Sequence, residues 1–452
     1  MNGGEVIASG GFGCVFSPSL KCKGRPRENK KISKLMTKRH AKEEYNEIVK
    51  FKKILSKIPN YDKYYLVDNI KLCTPERLTK KDLTNYNLKC SALQKDGFKT
   101  TNINNQINKL MSLNMPNGGS DLGNYIDNMK YEDMGELNNL LIDLLLNGII
   151  PMNKHGLYHS DIKDTNVLFK THLRLIDWGL STEYKKRSKK IPSAWKNRPF
   201  QYNVPFSSIL FNQTFETMYS NFLSTNHSPR REAIRVFTID YIYAWTKTRG
   251  LGHFNAFNRI FRNLYSDNLQ NISDETIKED IIKFDFTFNA IVEYITEILL
   301  KYTKNGKILL HEYINEVFAP TIDIWGFIMC YNPIIEKLYY NYGYLNRDEK
   351  ELFERIKQIF ITYLFQPRVE PIKIDNLVHD LKGLDKIFDK CNTSTTSHSF
   401  NGVSSEINVD VFKTPIFKKE RLNMKTQRKH ISASHRKSKT KKMYKQDKYV
   451  SL

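Results

Sequence analysis

Residues 158–169, YHSDIKDTNVLF, restrict what this chain can build more than any other stretch. Two aspartates, a lysine and an asparagine fall within positions 161–166, between apolar neighbours. A buried strand or helix has no use for such a group, because charge taken out of water is costly unless it is paired. The stretch therefore reads as a loop that a folded scaffold holds for its chemistry. Before it runs ELNNLLIDLLLNGIIPMNKHG (136–156), a mostly apolar helix long enough to pass through a core. After it comes LRLIDWGL (173–180), an apolar strand that ends on Asp177, with Gly179 to let the chain turn.

The rest of the chain divides by its hydrophobic period. EVIASGGFGCVF (5–16) reads as strand, glycine turn, strand, and KKISKLM (30–36) as a third short strand. The period then changes. In 38–58, Tyr45, Ile48, Phe51, Ile54, Leu55 and Ile58 line one face of a helix stopped by Pro59. YYLVDNIKL (64–72) and INKLMSLNM (107–115) read as strands on either side of a polar loop, and MPNGGSDLGNYI (115–126) as a turn that opens a helix. Beyond residue 205 the pattern is helical, clearest at 232–247, 290–302 and 347–365. In the last of these, Leu352, Phe353, Ile356, Ile359, Phe360 and Tyr363 form an apolar stripe suited to core packing. The expectation is an α+β chain, with a small β-rich part over 1–117 and a larger helical part over 118–390.

Composition adds bounds. The net charge is +23, and the stretch from Lys413 to the end holds 14 Lys or Arg against Glu420 and Asp447, about half of the excess. Residues 391–452 therefore read as a basic, disordered tail, with VDVFKTPIF (409–417) as the segment most suited to docking. Besides remaining a solvated tail, it can serve as a contact for nucleic acid or an anionic surface, or as a nuclear address. The six cysteines show neither a CxxC pair nor zinc-ligand spacing, which reads as reduced thiols in an intracellular protein. No apolar run reaches 18 residues and the N-terminus lacks a signal-peptide pattern, so neither a membrane span nor secretion is expected.

Phosphoryl transfer needs a backbone cradle for phosphates, a cation on the nonreacting phosphates, oxygen ligands for a metal and a base beside the acceptor. IASGGFGCV (Ile7, Ala8, Ser9, Gly10, Gly11, Phe12, Gly13, Cys14, Val15) suits the cradle, since peptide N–H groups at the glycines can approach phosphates that a Cβ would exclude. Lys34, on a strand, and Glu47, on the helix that follows, suit an ion pair that aims the ammonium, with Glu44 as the second choice of carboxylate. With His159, Asp161, Lys163, Asn166 and Asp177, these elements fall in one order along the chain. HSDIKDTN with DWG resembles the HRDLKxxN loop and DFG segment of eukaryotic-type protein kinases. That resemblance implies a bilobal kinase fold, ATP with magnesium, and protein Ser or Thr hydroxyls as acceptors. It implies Asp161 as the base, Lys163 on the γ-phosphate, Asn166 and Asp177 on magnesium, and Lys34 with Glu47 orienting the α- and β-phosphates. LNMPNGGSDL (113–122) is similar to the kinase hinge, with the backbone of Asn114 to Pro116 facing adenine. APTIDIWGF (319–327) resembles the large helix whose aspartate, here Asp323, hydrogen-bonds the catalytic-loop backbone.

The departures are instructive. Ala8 replaces the first glycine, and Ser160 replaces the loop arginine that reads activation-loop phosphorylation. Trp178 replaces the Phe of DFG, with an indole able to donate a hydrogen bond and hold the segment in its active position. The last two changes imply constitutive activity. No APE motif is visible; NRPFQYNVPFSS (197–208) takes its place. A helical, aromatic-rich insert, 206–320, separates that segment from Asp323. With ISKLM at the lysine strand, these features resemble serine/threonine kinases of large cytoplasmic DNA viruses, implying a host-cytoplasm or virion location. Two alternatives stay open: a small-molecule kinase of the choline or aminoglycoside phosphotransferase type, and a catalytically dead scaffold.

Overall fold

The computed structural model describes residues 4–130, 133–186, 188, 190–265, 267–366 and 369–393, all within one unit, Met1–Ser397. Of the expected disordered tail, 391–452, residues 391–393 instead close the helix Asp385–Thr393, and the rest, including VDVFKTPIF, lies outside the described residues.

The architecture is α+β, a small N-terminal sheet followed by a large helical part. Five antiparallel strands, β1 (Glu5–Ser9), β2 (Gly13–Ser17), β3 (Lys31–Thr37), β4 (Lys71–Cys73) and β5 (Leu110–Pro116), lie in the order β1-β2-β3-β5-β4. Helix α1 (Lys38–Leu55) begins at the residue after β3, and it buries Ala41, Ile48, Phe51 and Leu55. Of YYLVDNIKL only its end joins the sheet. Tyr61–Tyr64 is a helical turn, and the Tyr65 hydroxyl donates to the Gly148 carbonyl at 2.9 Å. These tyrosines are drawn to the long helix instead.

The polar loop expected between β4 and β5 is a folded cover. Its Leu78, Tyr86, Cys90, Leu93, Phe98 and Ile103 form one core with Val6, Cys14, Phe16 and Leu35 on one face of the sheet. Tyr86, Cys90 and Leu93 keep a helical spacing across two short helices, but Leu78, Phe98 and Ile103 continue no period, and so short a repeat hides this core from periodicity. Of two disulfides, Cys14–Cys90 fastens the cover to the sheet, and Cys22–Cys73 ties the β2–β3 connection to the end of β4. The expectation of reduced thiols is thus corrected for four cysteines, and Cys330 and Cys391 remain free. Spacing failed as a guide because these pairs are made by the fold, across 76 and 51 residues.

The long apolar helix runs Met134–Asp143, through a π-helical stretch at Leu144–Ile149, to Ile150–Lys154. Two small sheets follow: β6 (Ser120–Asp121) with β8 (Val167–Phe169) and β9 (Leu173–Leu175), and β7 (Leu157–Tyr158) with β10 (Thr182–Glu183). The remainder is mostly helical, including Arg231–Arg249, Asn289–Tyr302, Ala319–Met329 and Arg347–Phe360, with one two-residue hairpin pairing Thr303–Lys304 and Lys307–Ile308. The stripe from Leu352 to Tyr363 is buried, as the periodicity predicts. Phe206 packs against Phe257, Tyr294 and Trp325, tying the chain after residue 205 to the core. Among the described residues, no helix is long and apolar enough to cross a membrane.

Candidate active site

β7 leads the chain into the polar loop and β8 takes it out, so residues 159–166 project from the ends of short strands. The loop is braced from beneath. Asp323, fully buried on the Ala319–Met329 helix, accepts the backbone N–H groups of His159 (2.8 Å) and Ser160 (2.7 Å) and the Asn153 side chain (2.7 Å). At Gly326, one turn on, a Cβ would sit 2.5 Å from the Ile162 carbonyl oxygen, so only glycine lets helix and loop approach this closely. Ser160 adopts φ 62°, a left-handed conformation that a non-glycine residue holds only where its surroundings enforce it. Replacing Asp323 with Ala strands two buried N–H donors and is expected to cost about 2–3 kcal/mol in urea unfolding. An unchanged urea midpoint would show that the brace adds nothing.

Asp161 is 7% exposed. Its Oδ2 accepts from Lys163 Nζ (3.0 Å) and Asn166 Nδ2 (2.9 Å), and its Oδ1 from Asn203 Nδ2 (2.8 Å). Burial works to raise its pKa, but the Lys163 charge, the hydrogen bonds from Asn203 and Lys163, and the Arg198 charge outweigh it. The carboxyl is held below its ordinary range and is ionised at neutral pH. Asn166 spends its amide hydrogens on the Asp161 carbonyl and carboxylate, which leaves its Oδ1 as an oxygen ligand. The Asn166 carbonyl also accepts the Ile176 N–H at 3.0 Å, which brings Asp177 alongside.

Asp177, at φ 65°, is exposed and accepts no hydrogen bond among the described residues. The described residues hold no cluster of three or more His, Cys, Asp or Glu able to bind a metal by themselves. Asn166 Oδ1 and the Asp177 carboxylate nonetheless fit magnesium, which takes one or two protein oxygens and completes its shell with phosphate and water. Trp178 is buried against Phe51 of α1 (6.2 Å), Tyr65 (5.9 Å) and His159 (4.9 Å). Its Nε1 has no hydrogen-bond partner among the described residues, so the indole holds the segment by packing and not by the hydrogen bond expected of it.

Lys34 sits mid-sheet, paired with Val15 on one side and Leu113 on the other. Its carboxylate partner is Glu44, at 2.9 and 2.7 Å, and not Glu47. The reason is the direct join of β3 to α1: without a connecting loop, Glu44 in the second turn is already level with Lys34, while Glu47 lies most of a turn beyond. Burial lowers the Lys34 pKa, but the Glu44 and Asp177 carboxylates more than reverse this and the net shift is upward. Glu47 makes no hydrogen bond or ion pair among the described residues. Burial first, then Glu44, Glu43 and Asp177, push its pKa up to about 7.

The glycine hairpin lies over Lys34. Gly10 N–H donates to the Gly13 carbonyl at 2.8 Å, and a Cβ on Gly10 would lie 3.7 Å from Lys34 Cε. Gly11 faces open space. Gly13 is required for another reason, since a Cβ there would meet Met36 and the Leu35 carbonyl at 2.3 and 2.5 Å. Ile7, Ala8 and Ser9 are exposed along β1, and Phe12 at the tip stacks on His40 at 4.5 Å. Cys14, read as part of the cradle, faces the cover in its disulfide, whereas Val15, directly opposite Lys34, shares the face of the lysine. β4 begins with Lys71 opposite Asn114, so Met115 and Pro116 have no β4 partner on that edge. The Asn114 side chain is buried, accepting from Ser33 (2.6 Å) and Ser112 (2.7 Å).

Three residues of the site escaped the sequence reading, whereas Glu44 stood in it as the second choice of carboxylate. Trp195 Nε1 donates to Ser160 Oγ (2.8 Å), and Arg198 Nη1 donates to the Ser160 carbonyl (2.8 Å). Arg198 is buried, and burial pushes its pKa down to about 10 against the pull of Asp161 and Asp323, so it stays charged. Asn203, on Asp161, is the third. The available signal was the unusual density of polar and aromatic residues in NRPFQYN, which nothing local explains. A scan against protein-family models and a search of curated proteins return no match to this chain, so the reading of the site stands on its residues and their geometry.

Proposed function

We propose that this chain is an ATP-dependent serine/threonine protein kinase with a bilobal kinase fold. The observation that carries this reading is the Asp161 carboxylate, ionised and held by Lys163, Asn166 and Asn203, together with a Lys34–Glu44 pair whose lysine feels the Asp177 charge. In this reading Asp161 accepts the proton of the acceptor hydroxyl, and Lys163 shields the charge of the transferring group. Lys34, aimed by Glu44, holds the α- and β-phosphates, under the backbone of Gly10 and Gly11. Magnesium, when bound, neutralises phosphate charge, and Asn166 and Asp177 are the residues that would hold it. Arg198 and Trp195 grip Ser160 without a phosphate, which supports activity independent of activation-loop phosphorylation.

The test is transfer of labelled γ-phosphate from ATP and magnesium to casein and myelin basic protein, followed by phosphoamino-acid analysis. Label on serine or threonine is expected. A chain that binds ATP yet labels neither protein would shift the reading to a small-molecule acceptor or a scaffold. The ion-pair assignment has its own check: Glu44→Gln should lower transfer by about ten-fold or more, the loss of a charged hydrogen-bonded pair. Glu47→Gln should leave the rate nearly unchanged, and the reverse order would restore Glu47 as the partner of Lys34.

A further inference from the structure

The helices of 206–320 grip the segment that carries Arg198 and Asn203. Trp245 Nε1 donates to the Arg198 carbonyl at 3.2 Å, and His253 N–H donates to the Phe200 carbonyl at 2.8 Å. The last contact depends on a tight turn. Gly250 and Gly252 adopt φ 78° and 53°, and a Cβ on Gly252 would lie 2.3 Å from the Phe200 oxygen. The turn is thereby pressed onto the backbone of residue 200, and the next residue, His253, is carried toward the polar loop. Its ring lies 5.3 Å from that of Tyr202, whose hydroxyl donates to Asp164 at 3.4 Å. Asn203, next to Tyr202, holds Asp161.

His253 is only half-buried. Among the described residues, its buried Nδ1 has no hydrogen-bond partner and its Nε2 makes no hydrogen bond. Burial lowers the imidazole pKa, the nearby Lys163 and Arg198 cations lower it further, and Asp161 opposes them. A neutral ring with unused hydrogen-bonding capacity, standing within the field of the catalytic pair, does nothing for the core.

We propose that the Gly250–His253 turn is a wall of the acceptor site, and that His253 is a specificity-determining residue contacting side chains that flank the acceptor serine or threonine. This rests on the kinase reading above. With Lys163 and Arg198 behind it, the wall suits uncharged or acidic flanking residues and opposes basic ones. The insert thus has two tasks, bracing the acceptor segment and reading what lies on it.

The experiment uses the full chain, as wild type, His253→Ala and His253→Gln, with casein, an acidic protein, and the basic myelin basic protein. KM and kcat for each acceptor and KM for ATP are measured. Wild type is expected to favour casein. His253→Ala should raise the casein KM by about five-fold or more with the ATP KM unchanged, and His253→Gln, which keeps a neutral hydrogen-bonding group, should recover part of the loss. A casein KM unchanged in His253→Ala overturns the inference, as do equal rises in the casein and ATP KM values, the mark of a purely structural role. A wild-type preference for myelin basic protein overturns the stated flanking chemistry. If wild type binds ATP but labels neither protein, the kinase reading has failed and the inference falls with it.

Discussion

Asp161→Asn is expected to slow phosphoryl transfer by about 10³-fold, within the range that a positioned general base contributes, with little change in KM for ATP. The carboxylate oxygens of Asp161 face only donors: Lys163 and Asn166 on one, Asn203 on the other. An amide in its place turns an NH2 group toward one of those donors and removes the negative charge that draws the hydroxyl proton. The fold should survive, because the loop backbone is held by Asp323 and not by Asp161. A thermal midpoint close to that of wild type would verify this. A transfer rate within a few-fold of wild type would remove Asp161 from the chemistry. The wild-type pH profile gives a second check. Burial alone would raise the Asp161 pKa, but Lys163 and Asn203 bring it below the ordinary carboxylate value. A depressed carboxylate is active above its pKa and is lost as pH falls through it. The Asp161 contribution should therefore stay level from neutrality down into the ordinary carboxylate range.

Reduction of the cystines should give the largest loss of stability. Cys14–Cys90 closes 76 residues and Cys22–Cys73 closes 51. On the chain-entropy account, a loop of either size is worth about 4 kcal/mol; because the second lies inside the first, the pair together falls short of twice that. Cys14 and Cys90 are fully buried in the core shared by sheet and cover. Cys14→Ser with Cys90→Ser therefore adds polar burial to the lost cross-link. Thermal unfolding of wild type with and without a dithiol reductant, and of the double variant, measures the effect. A clear fall in midpoint is expected in both, and free-thiol titration of the unreduced, denatured chain should find only Cys330 and Cys391. Six reactive thiols and a midpoint insensitive to reductant would show that the cross-links do not form in solution. Because the cover also holds β1 through Val6 N–H on the Thr84 carbonyl and Ser9 Oγ on Ala92 N–H, its loosening should reach the glycine hairpin.

Some features of this protein follow from neighbours along the chain, and these the sequence by itself determined. The β1–β2 glycine turn, strand β3, helix α1 and the stripe from Leu352 to Tyr363 all obey local periods, because burying one face selects the conformation that presents it. The loop at 161–166 was legible for the opposite reason, since its polar residues satisfy no period. The contact of Asp323 with the loop was accessible only through resemblance, since 164 residues separate it from His159. Other assignments belong to the tertiary structure alone. Glu44 takes Lys34 because α1 starts directly after β3, which shifts the facing turn by three residues against the expected Glu47. The cystines, Arg198 on Ser160, Asn203 on Asp161 and His253 beside Tyr202 all join residues at least 38 apart in the chain. Such contacts are set by how helices and strands pack, and packing depends on the volumes and directions of side chains from the whole unit, which no local pattern encodes.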